Sequence, residues 1–301
     1  DVVREGRAVR IIRRYLEAAR VPAPVVRRLR ILAFDASLAT RLASASFNEI
    51  TVQLRWEDLA PGPVGEYIEV VDVDPASGVF YYPVDLDHAH LLAQDGLAPS
   101  ESNPQFHQQM VYAVAMTTIQ NFERALGRKA LWADRRVTAA DGGQAEQFVR
   151  RLRIYPHALR DRNAYYSPAK KALLFGYFPV ASKDEDNTPG TVVFTALSHD
   201  IVAHETTHAL LDGVHPRFNE PTNPDVHAFH EAFADIVALF QHFTYPTVLE
   251  SQIRRTRGDG NAFCRLVHAL HSEGGGQITP PDEKGVDALD THDFGQMLQR
   301  M

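Results

Sequence analysis

The segment 198–213, SHDIVAHETTHALLDG, decides both the fold and the chemistry expected of this 301-residue chain. It predicts a helix, because Ser198 is a suitable N-cap, Gly213 is a suitable C-terminal stop, and no proline lies between them. His204 and His208 are four residues apart, so both imidazoles leave the same face of that helix. Together they can offer two nitrogens to a single metal ion.

Glu205 lies beside the first histidine, where its carboxylate can reach a metal-bound water instead of the metal. This arrangement is the HExxH zinc motif, in which the glutamate is the general base. The simpler alternative is a core helix whose two histidines only bond to neighbouring groups. Ile201 and Leu211 share a helical stripe with both histidines, which indicates that this side faces the interior of the protein.

A catalytic zinc also needs a third protein ligand and an open position for water. The segment 223–240 begins with Asn223 and Pro224, a pair typical of a helix start, and its apolar residues recur at helical intervals. Glu231 and Asp235 lie one turn apart on the opposite side. They either face solvent or meet the HExxH helix, with Glu231 ligating zinc and Asp235 holding the free ring N–H of a ligand histidine. Their spacing favours the second interpretation.

These motifs resemble those of a known family. VAHETTHA at 202–209, followed by EAFAD at 231–235, is similar to the thermolysin-like neutral zinc metallopeptidases, which are gluzincins. NAYY at 163–166 resembles the edge strand with which that family holds its substrate backbone, and the three motifs occur in the family's order. The resemblance covers about residues 163–235 and implies one zinc ion on His204, His208 and Glu231.

The fold that the resemblance implies is α+β with two lobes, a strand-rich N-terminal lobe and a helical C-terminal lobe, with the HExxH helix between them. We expect an arginine-rich helical segment over 1–45, the strand-rich lobe over 46–213, and the helical lobe over 214–301. Fewer than 100 residues follow His208, so we expect the helical lobe to be short or incomplete. A zinc cleft would lie between the lobes.

The function that the resemblance implies is zinc-dependent endopeptidase activity on peptides or unfolded proteins. Glu205 would take a proton from the zinc-activated water and pass it to the leaving amine. Asn163, Ala164 and Tyr165 would bind the substrate backbone as an added strand. Asp287 and His292 match the spacing of the family's oxyanion-stabilising histidine and the carboxylate that orients it, although histidines near a chain end are often surface residues.

Two features of the family are altered in this chain. No tyrosine follows the HExxH helix at the distance from which the family also stabilises the oxyanion; His215 and Phe218 occupy that region. Asp200 matches an acidic residue of the family's calcium site, but the partner position is His242. Because calcium prefers several oxygen ligands, we expect no calcium there.

Two other classes of function stay open on the sequence. One is a metallopeptidase fold that binds peptide or protein without cleaving it, although such a module would have no need of Glu205. The other is a zinc site of different use, either a hydrolase of a non-peptide amide or a closed structural site. A closed site needs a fourth protein ligand, for which the candidates are His215, His227 and His230.

Composition narrows the class of protein. A formal net charge of −7 argues against nucleic-acid binding by the whole chain, and no apolar run approaches the length of about 18 residues that spans a membrane. The single cysteine, Cys264, rules out an intrachain disulfide framework. The sequence contains no recognisable signal segment and begins with Asp1, so a secreted and a cytoplasmic location are both open.

Overall fold

A computed structural model describes residues 24–36, 48–138, 143–180, 190–215, 218 and 222–257. The elements in chain order are β1 (Val26–Leu32), β2 (Glu49–Arg55), β3 (Ile68–Val70), β4 (Val73–Asp74), β5 (Val79–Phe80), α1 (Ala89–Ala93), α2 (Pro104–Leu126), β6 (Arg135–Thr138), β7 (Gln144–Gln147), β8 (Leu152–Leu159), β9 (Ala164–Ser167), β10 (Ala172–Pro179), β11 (Val192–Phe194), a 3-10 turn (Thr195–Leu197), α3 (His199–Val214), α4 (Pro224–His242) and α5 (Pro246–Thr256). The mixture of strands and helices confirms the α+β class. The division into lobes and the boundaries at 45 and 213 stay predictions.

The largest sheet has five strands in the order β11-β10-β8-β3, with β9 also paired to β10. Strands β3, β8 and β10 run parallel, whereas β9 and β11 are antiparallel to the two halves of β10. Gly176 in β10 permits a close crossing, since a Cβ there would lie 2.2 Å from the carbonyl oxygen of Asp161. Among the described strands, β9 pairs with β10 alone, so it lies at an edge of the sheet.

Helix α2 is the apolar centre on which the other elements pack. Asn103 caps its start by accepting from the Gln105 N–H, and Gly127 ends it in the left-handed conformation with φ 66°. Its first four turns are almost wholly buried and contact β1, β2 and α3.

The prediction of a helical segment over residues 1–45 is wrong for residues 26–32, which form β1 and pair in register with β2. Burial alternates along β1, so Arg27, Leu29 and Ile31 point inward. Arg27 is buried because its guanidinium donates to the carbonyls of Leu86 and Glu57 and pairs with Asp87. Because a charged residue, Arg27, occupies one of the inward positions, the sequence of β1 does not show the alternation of apolar and polar residues that is typical of a strand. Residues 1–23 and 37–45 lie outside the described residues, and the expectation for them stays a prediction.

Helix α3 begins after Ser198, as predicted, although the Ser198 side chain makes no capping hydrogen bond. The prediction that Gly213 ends the helix is wrong, because α3 continues to Val214. Gly213 is needed instead for close packing: a Cβ at this position would lie 1.9 Å from the carbonyl oxygen of Leu131. The glycine lets the last turn of α3 lie directly against the 131–132 backbone.

Helix α4 packs on α3 through the side that carries Glu231 and Asp235, as the favoured interpretation of their spacing predicts, and not through its apolar stripe. Its buried residues include small and polar ones: His230, Ala234, Ala238, Gln241 and His242. Along the stripe that the sequence suggests is apolar, Phe229 and Phe240 are 55% and 57% exposed in the part of the chain that the structure describes. Among the described helices, none is both long and apolar enough to cross a bilayer.

Candidate metal centre

The two histidines of the HExxH motif lie one turn apart in the middle of α3 with their rings converging. His204 Nε2 and His208 Nε2 are 2.9 Å apart. Between them, Thr206 and Thr207 are fully buried and donate their hydroxyls to main-chain oxygens one turn earlier, at 2.6 and 2.8 Å. These back-bonds satisfy the threonine hydroxyls inside the core, between the two residues that present their imidazoles to the cluster.

Glu231 on α4 faces both histidines. One carboxylate oxygen lies 3.2 Å from His204 Nε2, and the other lies 3.6 Å from His208 Nε2. The three ligand atoms are within 4.8 Å of one another, so these residues could hold one metal ion. The Glu231 side chain is 55% exposed, which leaves one side of the cluster open to water.

Asp235, one turn beyond Glu231, holds the outer nitrogen of His204. Its Oδ1 lies 2.9 Å from His204 Nδ1. When Nδ1 carries the proton and donates it to Asp235, the lone pair of Nε2 points into the cluster. The spacing of Glu231 and Asp235, taken together with the preceding zinc motif, predicts this side of α4, and the structure brings all four residues together.

The cluster is strongly attractive to positive charge. Burial lowers the pKa of His204, but its hydrogen bonds to Asp235 and Glu231 outweigh burial and raise that pKa to about 10. Hydrogen bonds from His204 and His208 hold the pKa of Glu231 well below its usual range. A proton or a divalent cation can supply the positive charge that these carboxylates favour.

Glu205 is buried beside the cluster without belonging to it. Its Oε2 accepts the main-chain N–H of Tyr166 in β9 at 2.7 Å. Burial raises the pKa of Glu205, whereas the neighbouring charges of His204 and His208 lower it. A carboxylate with a raised pKa is better suited to accept and return a proton than one at the surface.

Strand β9 presents its free edge to Glu205. The carbonyl oxygen of Asn163 accepts from Gly176 in β10, so in antiparallel alternation Ala164 and Tyr166 direct their main-chain polar groups away from β10. The Tyr166 N–H that reaches Glu205 lies on this outer side. Asn163 Oδ1 is buried without a partner among the described residues, and Tyr165 is half-buried.

A buried anchor missed by the sequence analysis joins β9 and β10 to α3. Asp212 accepts the Tyr166 hydroxyl and the Lys171 ammonium, each at 2.6 Å. Burial, and then the Asp212 carboxylate, raise the pKa of Tyr166, so its hydroxyl stays protonated as a donor. The available signal was the position of Asp212, one turn after His208 on the motif helix. Its partners are far away in sequence and could not be named.

The three candidates for a fourth ligand lie outside the cluster. His230 packs behind His208, with Nδ1 of the two rings 3.4 Å apart, on the side away from Glu231. His227 is exposed on α4, and His215 stacks on Phe218 at 5.0 Å. Among the described residues the cluster therefore has three protein donors, which is the number found in open zinc sites.

Asp287 and His292 lie outside the described residues, so their predicted roles stay predictions. No protein-family model matches the chain, and a search of curated proteins found no match. The resemblance to the thermolysin-like enzymes therefore rests on the three motifs and on the placement of their residues.

Proposed function

We propose that this protein is a zinc-dependent endopeptidase, a member of the thermolysin-like type with a strand-rich lobe and a helical lobe on either side of α3. The observation that carries the proposal is the convergence of His204, His208 and Glu231 next to a buried Glu205 that is bonded to an edge strand. Metal ligands, a base and a strand edge thus occupy one region.

Two imidazole nitrogens and one carboxylate oxygen are the donors that zinc prefers, whereas magnesium and calcium favour oxygen alone. Zinc–ligand bonds of about 2.1 Å in a tetrahedron put neighbouring ligand atoms about 3.4 Å apart. The contacts of 2.9, 3.2 and 3.6 Å within the cluster lie within about half an ångström of this value. The residues therefore fit a zinc ion on His204, His208 and Glu231, with the exposed side left for water.

When bound, zinc acts as a Lewis acid that polarises a carbonyl and lowers the pKa of a coordinated water to about 7. Glu205 accepts the proton of the attacking water and transfers it to the amine that leaves as the peptide bond breaks. The Tyr166 N–H holds the Glu205 carboxylate in place for both steps. Asp235 keeps His204 in the tautomer that leaves Nε2 without a proton.

The edge of β9 favours a peptide over other amides as the substrate. Ala164 offers an outward N–H and C=O, which can pair with an extended chain as an added strand. The next outward residue, Tyr166, is bonded to Glu205, so a chain paired with Ala164 runs past the base. Asn163 can add a side-chain acceptor for a substrate N–H.

The test is cleavage of an unstructured protein by the zinc-loaded wild type and by Glu205→Gln. We expect Glu205→Gln to retain zinc and to lose about 10²- to 10⁴-fold in kcat/KM, because the base is removed and the ligands are kept. Glu250→Gln, an exposed change of the same chemistry on α5, should cleave like the wild type. Zinc-loaded wild type that leaves a range of unstructured proteins intact would refute the proposal and favour a peptide-binding module.

A further inference from the structure

A second cluster of metal-binding side chains lies where the start of α3 meets the end of α4. It consists of His199 and Asp200 in the first turn of α3 and His242 at the end of α4. One potential ligand atom from each residue lies within 4.8 Å of the other two. All three side chains are buried, with residue exposures of 0%, 6% and 3%.

Two imidazole nitrogens converge on one carboxylate oxygen in this cluster. His242 Nε2 hydrogen-bonds to Asp200 Oδ1, and His199 Nδ1 lies 3.7 Å from the same oxygen. The outer nitrogen of His199, Nε2, lies 2.8 Å from the hydroxyl of Tyr245 and, at a longer 3.3 Å, from the amide nitrogen of Gln241. That hydroxyl can accept the ring proton, which leaves the Nδ1 lone pair directed at the cluster.

Two ring nitrogens of this arrangement are buried without a hydrogen-bond partner among the described residues, Nδ1 of His242 and Nδ1 of His199. His242 meets Asp200 through its other nitrogen, Nε2, so the unpartnered atom beside the shared carboxylate oxygen is His199 Nδ1. It is fully buried, and within the described ranges no group lies at hydrogen-bonding distance from it. An unpaired buried nitrogen is costly, about 1–3 kcal/mol. A cation at the convergence point would give Nδ1 a partner.

The His242 ring is already fixed in orientation. It stacks on Phe34 with ring centroids 4.5 Å apart and an angle of 13° between the planes. A ligand that is held before the ion arrives loses little rotational freedom on binding, which strengthens the site.

We propose that His199, Asp200 and His242 bind a second transition-metal ion, with zinc the expected metal. Two nitrogens and one oxygen suit zinc and do not suit calcium, which takes six to eight oxygens. The ion offsets the buried charge of Asp200 and joins the first turn of α3 to the last turn of α4. These are the two helices that position His204 against Glu231, so the role of the ion is structural. The site does not depend on the proposed hydrolysis.

The test counts zinc ions per chain in the full-length protein after zinc reconstitution and gel filtration. Expected values are about two for the wild type, one for Glu231→Ala, one for His242→Gln, and none for the double variant. Glutamine keeps an N–H donor for Asp200, so the buried carboxylate retains a partner. His227→Gln, an exposed histidine on the same helix, is the matched control and should keep two.

Glu231 is exposed, so Glu231→Ala should fold whether or not His242→Gln does. Retention of one zinc by folded Glu231→Ala, with a zinc-dependent rise in its melting temperature, supports the second site. Loss of all zinc from folded Glu231→Ala overturns the second site. His199, Asp200 and His242 would then be held together without a metal ion, with His242 hydrogen-bonded to Asp200. A wild type with one zinc that Glu231→Ala keeps and His242→Gln loses would support the second site while removing the proposed catalytic one.

Discussion

Removal of Asp235 should weaken zinc binding without damaging the fold. Asp235 makes a 2.9 Å contact with His204 Nδ1, and its side chain is 54% exposed. Loss of such an outer carboxylate costs about 10- to 100-fold in metal affinity. Because water can reach this exposed position and replace the lost oxygen, we expect the lower end for Asp235→Ala, about tenfold, or about 1.4 kcal/mol.

Asp235→Ala also has an effect that strengthens zinc binding. Asp235 helps to raise the pKa of His204 to about 10, so a proton competes with zinc for this imidazole. Asp235→Ala lowers that pKa and weakens the competition. Both pH 8 and pH 6 lie below a pKa of about 10, so the relief acts at both and stops growing once the pH is below the lowered pKa of the variant. The net loss of zinc affinity, about tenfold at pH 8, should therefore be no larger at pH 6.

The assay is competition for zinc against a coloured chelator at pH 8 and pH 6, with Glu250→Gln as an exposed control. The melting temperature without zinc should change little. An affinity at pH 8 within twofold of the wild type, or tighter, would contradict the role assigned to Asp235. So would a loss that is greater at pH 6 than at pH 8.

Three further predictions concern the frame around the site. Gly213→Ala should lower the free energy of unfolding in urea by about 1–3 kcal/mol, because the added Cβ would lie 1.9 Å from the Leu131 carbonyl oxygen. This clash outweighs the helix-propensity gain of about 1 kcal/mol from glycine to alanine. A stabilised variant would contradict this. Asp212→Asn should cost about 3–5 kcal/mol in thermal unfolding, because it leaves the buried Lys171 ammonium without its carboxylate, and a loss below 1 kcal/mol would show that the pair is unimportant. Burial, and then the neighbouring His157, lower the pKa of His107 to about 3. As pH falls from about 6.5 towards 3, His107 therefore binds a proton in the unfolded chain but stays neutral in the folded chain. The wild type should lose stability over that range, by up to about 1.4 kcal/mol per pH unit from this group, and His107→Gln should show a shallower slope; equal slopes would refute the assignment.

Local spacing predicted the candidate site because helical periodicity is a property of the backbone. His204 and His208 share a face at an offset of four residues whatever surrounds them, and Glu231 and Asp235 share a face for the same reason. The choice of the α4 face that meets α3 came from metal chemistry, since carboxylates one turn apart would otherwise be read as solvent-exposed.

The parts that the sequence did not predict depend on contacts between distant residues. Strand β1 was missed because Arg27 lies inward, and it is tolerated there only because Asp87 and two distant carbonyls surround it. The close approach of Leu131 to Gly213, and the pairing of Lys171 with Asp212, are likewise set by tertiary packing. No local pattern encodes the partner in such pairs.

The central claim is that α3 and α4 hold one zinc ion between His204, His208 and Glu231. Diffraction from zinc-loaded crystals, recorded on both sides of the zinc absorption edge, locates each bound ion separately from any other. We predict an anomalous peak about 2.0–2.2 Å from Nε2 of both histidines and from a Glu231 carboxylate oxygen. An absence of anomalous density between these three side chains in fully zinc-loaded crystals would contradict the account.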